Sequence, residues 1–442
     1  MRMPLFVRRA LYAMRGGFVV RPRLIALILG AAGMGLSWLE EWEPQLGSWM
    51  PDVLFPSHSD PQIAQVILAG IAGSIMTVVS IVFAILLMTL TLASTQFSPR
   101  ILVSFVRDRT TQWTLGIFLG TFSYCLAALP AARSAPQPFA PIVTVAGAMV
   151  LALVCVAWLL FFINHISQAI SVTHIVDRIA SETVEMIDSF MPHRRTAWTQ
   201  RHHPEASRNV PESPLTIGRS GYISFVDIGA LMAYAIERRV RIRLTRRVGQ
   251  FVPEGFPLFM VSQGEGPKKA DVESLRAAVD VGPARTLQQD VEFGILQIVD
   301  IALRAISPAV NDPSTAINCI DQISRVVITW TGRDPPDTFV ASPPHIVRVV
   351  IPWIATTELL DTAFDQIRHY ATSDMAVMMR LLRAFGDIAL VADTSLHEDL
   401  LSRGRHVVAG ASRNLPAEEL SRLKMRFDDL ERSCRKTASP TR

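Results

Sequence analysis

The sequence predicts an α-helical integral membrane protein: four N-terminal transmembrane helices, then a cytoplasmic α+β region in which a small β-module precedes a helical bundle. Three observations predict it. Half of the 442 residues are apolar and the mean hydropathy is positive, a balance that soluble domains seldom show. The apolar residues gather in four runs before Ile163. After Pro192 the pattern changes, first to period two and then to amphipathic helical spacing.

The four runs are about Leu24 to Leu39, Gln62 to Ser94, Trp113 to Ala132 and Phe139 to Ile163. A spanning helix needs roughly twenty apolar residues. The first run is the shortest and carries Gly30, Gly33 and Gly35; nothing after it reads as a clean signal-peptide cleavage site.

Orientation follows from Lys and Arg in the short flanking loops. Arg2, Arg8, Arg9, Arg15, Arg21 and Arg23 precede the first run and place the N-terminus in the cytoplasm. The loop 40–61 is acidic and lacks Lys and Arg, so it faces outside; the loop 95–112 carries Arg100, Arg107 and Arg109 and faces inside. The short loop 132–138 is the one exception, with Arg133 on the expected outer side. The region after the fourth run, with the C-terminus, is then cytoplasmic.

The second run is about 33 residues, or roughly 50 Å as a helix. That exceeds the roughly 30 Å hydrocarbon core, so it tilts or projects beyond the bilayer. One face reads Gly70, Gly73, Thr77, Ser80, Ala84, Leu87, Thr91, Ser94. Steps of three and four make this one stripe, and all but Leu87 are small or hydroxylated. Small residues permit close helix packing in membranes; the same residues can line a polar pore in an oligomer. Both readings stay open, and both keep the stripe away from lipid.

No Asp, Glu, Lys, Arg or His lies deep in any run. Proton-coupled carriers place such groups at mid-membrane, whereas channels can select by hydroxyls, carbonyls or charge at the mouth. The second run ends in "STQFSPR", Ser94 to Arg100. This is either a helix stop with an interfacial anchor or, with Arg107 and Arg109, the start of a cationic inner mouth that favours anions.

In the polar half, the segment 165–213 reads as a helical extension and then a Pro/Arg/His/Ser-rich linker. The β-module covers about 214–265. Within it Arg239, Arg241 and Arg243 alternate with Val240, Ile242 and Leu244, a half-buried strand with a basic outer face. That face either meets water or binds an anion or lipid headgroup. Helices are expected at 271–280, 286–306, 313–329, 354–371, 374–392, 395–411 and near 416–434, and the residues 345–351 can form one further strand.

The block "AISPAVNDPSTA", Ala305 to Ala316, joins two of these helices. Ser307-Pro308 stops the first; Asp312 as N-cap and Pro313 at the first helical position start the second. Ser307, Asn311 and Asp312 are candidates for a turn motif or for an interface. Asn311 has no role in the stop-and-start chemistry.

Function classes can be excluded in part. The formal charge of +4 includes no dominant basic block, which argues against nucleic acid. The four cysteines show no CxxC spacing, and His202-His203 sits in a Pro/Arg/Ser-rich linker that holds no Cys, so neither a zinc site nor a disulfide framework is expected. No Walker loop, GxSxG or HExxH occurs, so no enzyme and no cofactor is expected.

The blocks "STQFSPR" at 94–100, "LGIFLGTFSY" at 115–124, "SGYISFVD" at 220–227 and "ALRAISPAVNDPSTA" at 302–316 resemble, in this order, those of a family of predicted bacterial inner-membrane proteins of unknown function. The resemblance covers about residues 10–430. It implies four N-terminal spans and a soluble C-terminal region, and it carries over no functional residue. The expected function is a homo-oligomeric channel or pore-like protein in the lipid bilayer, with a cytoplasmic assembly or gating domain. The competing expectation is a membrane-anchored sensor or scaffold that binds an anionic ligand, lipid headgroups or a partner protein.

Overall fold

The computed structural model describes residues 19–43, 60–96, 109–134, 138–169, 171–191, 211–262, 269–334, 338–342 and 346–438. The chain forms two compact units, Met1–Ser171 and Val172–Arg442.

Among the described residues the first unit has four α-helices: α1 (Val20–Trp42), α2 (Pro61–Gln96), α3 (Arg109–Ala128) and α4 (Ile142–Ala169). Each is long and apolar enough to cross a membrane. The helix ends fall up to six residues outside the apolar runs, because polar and charged residues such as Arg21 and Gln168 continue the helices beyond the hydrophobic stretch. Two ends fall inside their runs: α3 gives way to a short 3-10 turn at Leu129–Ala131, and α4 begins at Ile142, three residues after the start of the fourth run.

The central helix is α3, which packs against all three others. Glycines allow α1 to come close. A Cβ on Gly116 would lie 2.5 Å from the Ile25 side chain, and one on Gly33 would lie 2.6 Å from the Tyr124 carbonyl oxygen. Small residues at such contacts let apolar helices pack tightly. These two contacts run in the same direction along both helices, so α1 and α3 are parallel. At their far ends, Gln65 near the start of α2 donates to Ala132 O (2.5 Å), and Glu40 near the end of α1 receives the first N–H groups of α4. The four helices therefore alternate in direction. Arg133, the exception to the charge rule, is ion-paired with Glu41 at this same end, so its charge is locally compensated.

The second unit begins with α5 (Val172–Phe190), the helical extension, which is a helix separate from α4. Then come β1 (Glu212–Thr216), β2 (Gly221–Val226), α6 (Ile228–Glu237), β3 (Arg241–Leu244), β4 (Phe251–Val252), β5 (Pro257–Ser262), α7 (Lys269–Ala277) and β6 (Val279–Gly282). Next are α8 (Val291–Ala305), α9 (Pro313–Thr331), β7 (Phe339–Ser342) and β8 (Ile346–Val350). The remaining elements are α10 (Thr356–Leu360), a π turn (Asp361–Asp365), α11 (Gln366–Tyr370), α12 (Met375–Ala389), α13 (His397–Ala411) and α14 (Ala417–Ala438).

One sheet has the order β1-β5-β3-β8-β7 and the other β4-β2-β6. All pairings are antiparallel except β3 with β8. The β-module thus extends beyond 214–265: it takes β6 and, from beyond α8 and α9, β7 and β8. Its core includes Ile223, Leu231, Ile242, Phe259 and Val349, all fully buried. The region expected as one helix over 271–280 is α7 followed by β6, because Val279 and Val281 pair with β2 and fill that core.

The helical part packs α5, α8, α9, α12, α13 and α14 against one another. Phe364 and Phe385 meet edge to face at 5.2 Å in its interior. The apolar stripes of α8, α9 and α12 carry its buried residues, as helical amphipathicity requires.

Candidate functional site

On α2 the buried face is Ala64, Leu68, Ala72, Ile75 and Val82. At 100° per residue the stripe lies on the opposite side. Gly70, Gly73, Thr77, Ser80, Ala84, Leu87 and Thr91 are all exposed, and a Cβ on Gly70 or Gly73 would meet nothing within 4 Å. Among the described residues of its own unit, the stripe therefore plays no part in packing. Its hydroxyls bond to their own helix: Thr77 donates to Gly73 O (3.1 Å), Ser80 to Met76 O (3.0 Å) and Thr91 to Leu87 O (2.8 Å). Such back-bonding satisfies a hydroxyl within its own helix. A groove between α2 and α4, lined by Ile71, Ser74, Ile75, Val78, Ala152 and Val156, runs beside the stripe. Ser94 is on α2. Arg100 and Arg107 lie outside the described residues, and Arg109 is the exposed first residue of α3.

The arginine row of β3 is split by the structure. Arg239 is in the turn before the strand, with a left-handed φ of 49–56° class shared by only one other non-glycine residue among those described: its φ is +56. Arg241 and Arg243 stand on the outer face of the sheet, with Ile242 and Leu244 turned into the core. Both reach Glu212 of β1: Arg243 Nε lies 3.2 Å from each carboxylate oxygen, and Arg241 Nη2 lies 3.4 Å from Oε1. The Arg243 hydrogen bond is the main cause that holds the Glu212 carboxyl below the usual range. The residue opposite Arg241 on β8 is Arg348, since the parallel register pairs Ile242 with Val349. Arg348 was not legible as part of this face, because it is over a hundred residues away in sequence.

The Ala305–Ala316 block is a tight αα-turn. Asp312 is the N-cap of α9: its carboxylate accepts from Thr315 N (3.1 Å) and Thr315 Oγ1 (2.6 Å). These bonds, the Thr315 hydroxyl first, lower its pKa. Its own N–H closes the turn onto Ala305 O at 2.8 Å. Ser307 Oγ donates to Arg304 O (2.7 Å). Asn311 is exposed and has φ +49. Asn tolerates this left-handed conformation better than most residues, which supplies the role that stop-and-start chemistry left empty.

Sequence reasoning missed a buried ionic cluster before α8. Arg285 makes a bidentate pair with Asp290 (Nε–Oδ2 2.7 Å, Nη2–Oδ1 2.8 Å) and also reaches Glu292 (2.7 Å). Arg247 lies 3.4 Å from Glu292 and 3.5 Å from Glu358. Asp290 also caps α8, accepting from Phe293 N at 3.0 Å; that cap is the signal that sets the helix start at Val291 rather than 286. Phe190, Trp330 and Trp353 line a cleft beside this cluster, with Phe190 and Trp353 stacked at 5.7 Å. A second ionic pin joins Arg403 to Asp361 (2.7 Å), Asp399 (2.9 Å) and Asp365 (3.3 Å). Asp177 on α5 pairs with Arg325 at 3.0 Å. The four cysteines are free and buried; burial pushes the Cys319 thiol up to about 12, which makes it a poor nucleophile.

Residues 15–387 match the model of a family described as predicted membrane protein, DUF2254. An uncharacterized protein of Mycobacterium tuberculosis (strain CDC 1551 / Oshkosh) is 32% identical over 335 residues, 74% of this chain and 64% of that protein. An uncharacterized protein of Mycobacterium bovis (strain ATCC BAA-935 / AF2122/97) matches to the same extent. The chain thus spans under two thirds of the length of these curated relatives. No solved structure matches it. With most of its length matched by the family model and four helices able to cross a membrane, the chain belongs to the DUF2254 family of predicted membrane proteins.

Proposed function

We propose that the chain is a homo-oligomeric channel or pore-like protein of the bacterial inner membrane, and that 172–442 is a cytoplasmic assembly or gating domain. The observation that carries this reading is the open stripe of α2. In a bilayer, a helix face of glycine, alanine and hydroxyl residues gains little from lipid and more from close contact with another helix or with water. The described residues of its own unit leave that face uncovered, so in this reading the partner is a second copy or the lumen between copies. Arg109 at the start of α3 is a cation at the end that the Lys/Arg pattern assigns to the cytoplasm. In this reading the chain performs no reaction.

Cysteine-substituted variants test the oligomer. Single Cys at Gly70, Gly73, Thr77 or Ser80 is oxidised in native membranes, with Leu153 on α4, 71% exposed, as the control position. Cross-linking along the stripe and not at Leu153 is the expected result. Equal cross-linking everywhere, or none along the stripe with a monomer in detergent, contradicts it.

A second reading, a membrane-anchored sensor or scaffold, is favoured by the guanidinium cluster on the outer sheet face. There the domain 172–442 takes an anionic ligand, lipid headgroups or a partner protein, and α5 connects it to the helices before it.

A further inference from the structure

The outer face of the larger sheet carries more positive charge than the fold compensates. Glu212, Ser262 and Arg241 form one row across β1, β5 and β3, because Ser262 is opposite both of the others. The β3–β8 register continues that row to Arg348. Arg243 stands two residues further along the same face. Two of these three guanidinium groups, those of Arg241 and Arg243, reach the Glu212 carboxylate; Arg348 lies one strand beyond them.

The two neighbouring arginines are the unusual feature. Like charges directly opposite on adjacent strands destabilise a sheet. Arg241 is only 16% exposed, so its charge is poorly screened, and its one ion pair among the described residues, to Glu212, is long at 3.4 Å. Arg348 is half-buried and has no ion pair among the described residues. The Nε–H of Arg241 and the Nε–H of Arg348 are both buried without a hydrogen-bond acceptor. A buried donor left unmatched is costly, and the packing of the β-module does not need a guanidinium at either place: Ile242 and Val349, not their arginine neighbours, fill the core. Two adjacent cationic forks with open donors match an acceptor-rich, multiply charged anion.

We propose that Arg241, Arg243 and Arg348 form a binding site for a phosphate-bearing anion, with Glu212 as its built-in counter-charge. The inference rests on the reading that the sheet face takes an anion, and it adds Arg348 and the ligand's chemistry. A tetrahedral phosphate has enough acceptor oxygens to take both open Nε–H donors, and its charge near −2 balances the surplus left after Glu212. Glu212 competes for Arg243, so it sets the affinity as well as holding the empty site together. The phosphate can belong to a soluble compound or to a phospholipid headgroup.

The test uses the full chain in detergent, and then in phosphatidylcholine nanodiscs with or without phosphatidic acid. Unfolding midpoint and hydrogen-exchange protection of residues 241–243 and 346–350 are read against inorganic phosphate, and against citrate at matched ionic strength. Phosphate is expected to raise the midpoint and protect both strands. Arg348→Gln weakens this response about tenfold or more, the effect of one charge-assisted hydrogen bond. The same variant without phosphate is at least as stable as the parent, because it removes an uncompensated charge. Arg348→Lys retains part of the response, Glu212→Gln strengthens it, and Arg383→Gln, which alters an exposed pair with Asp387, leaves it unchanged. A response to free phosphate assigns a soluble ligand; a response confined to phosphatidic acid discs assigns a headgroup. If citrate acts and phosphate does not, the face binds anions but the phosphate assignment is wrong. If no anion or disc acts, or if Arg348→Gln lowers stability and keeps the response, the site does not exist.

Discussion

Glu40 caps a helix that begins more than a hundred residues later: its carboxylate accepts from Val143 N (2.9 Å), Thr144 N (3.2 Å) and Thr144 Oγ1 (3.1 Å). The first N–H groups of a helix have no intrahelical partner, and here the end of α1 supplies one. Glu40 is 4% exposed, so its removal leaves buried donors unmatched. Glu40→Ala is expected to cost about 1–3 kcal/mol, with Glu40→Gln milder, measured as loss of thermal stability in detergent. A neutral Glu40→Ala contradicts this account of how α1 and α4 are joined.

The turn between α8 and α9 predicts a split between neighbours. Asn311 is at φ +49 and Asp312 caps α9. Asn311→Gly is expected to be tolerated, and Asn311→Val to cost about 1–2 kcal/mol through its branched side chain in a left-handed conformation. Asp312→Ala is expected to cost about 1 kcal/mol. Denaturant unfolding of the three variants checks the order. Loss of cross-linking in Asn311→Gly, with stability intact, would instead mark the loop as an interface.

Acid is expected to weaken the domain 172–442. Glu212 and Asp312 both have folded pKa values held below the ordinary range, by Arg243 and by the Thr315 hydroxyl and N–H respectively. Depressed carboxyls contribute stability that is complete above the unfolded pKa, about 4, and lost as pH falls through the folded value. Unfolding midpoints should be flat from neutral pH down to about pH 5 and fall below that. The fall should be smaller in Glu212→Gln, and smaller again with Asp312→Asn added.

Gly249 is where the ionic cluster meets the backbone. Its φ is +87, and a Cβ there would lie 2.2 Å from Asp290 Oδ2 and 2.9 Å from Arg285 Nη2. Gly249→Ala therefore combines backbone strain with a broken buried pair, and several kcal/mol of destabilisation is expected. A variant of near-parent stability would show that the cluster can move aside at little cost.

The parts of the fold legible in the sequence are those written locally. Asp312-Pro313 marks the start of α9, the Arg/Val alternation marks β3, and hydropathy marks the four long helices, because each signal lies within one element. What spans the chain was hidden. The partner of β3 is β8, and the counter-charge of Arg241 and Arg243 is Glu212 on β1; register fixes both, and no short window contains it. The helix α6 escaped notice because its apolar residues run almost without a polar face, which blurs the helical period. The centrality of α3 was equally hidden: its Thr, Gly and Gln residues lower its hydropathy, yet they are what lets three helices crowd against it. The stripe on α2 was visible as a pattern, but only the structure places it opposite the buried face.

Conductance across planar lipid bilayers tests the pore proposal most directly. Purified full-length protein is expected to conduct ions, and Thr77→Leu or Ser80→Leu, at exposed positions that leave the chain's own packing untouched, is expected to reduce or block the current. Bilayers that stay silent under voltage, tension and varied anions, or currents indifferent to both substitutions, would contradict it.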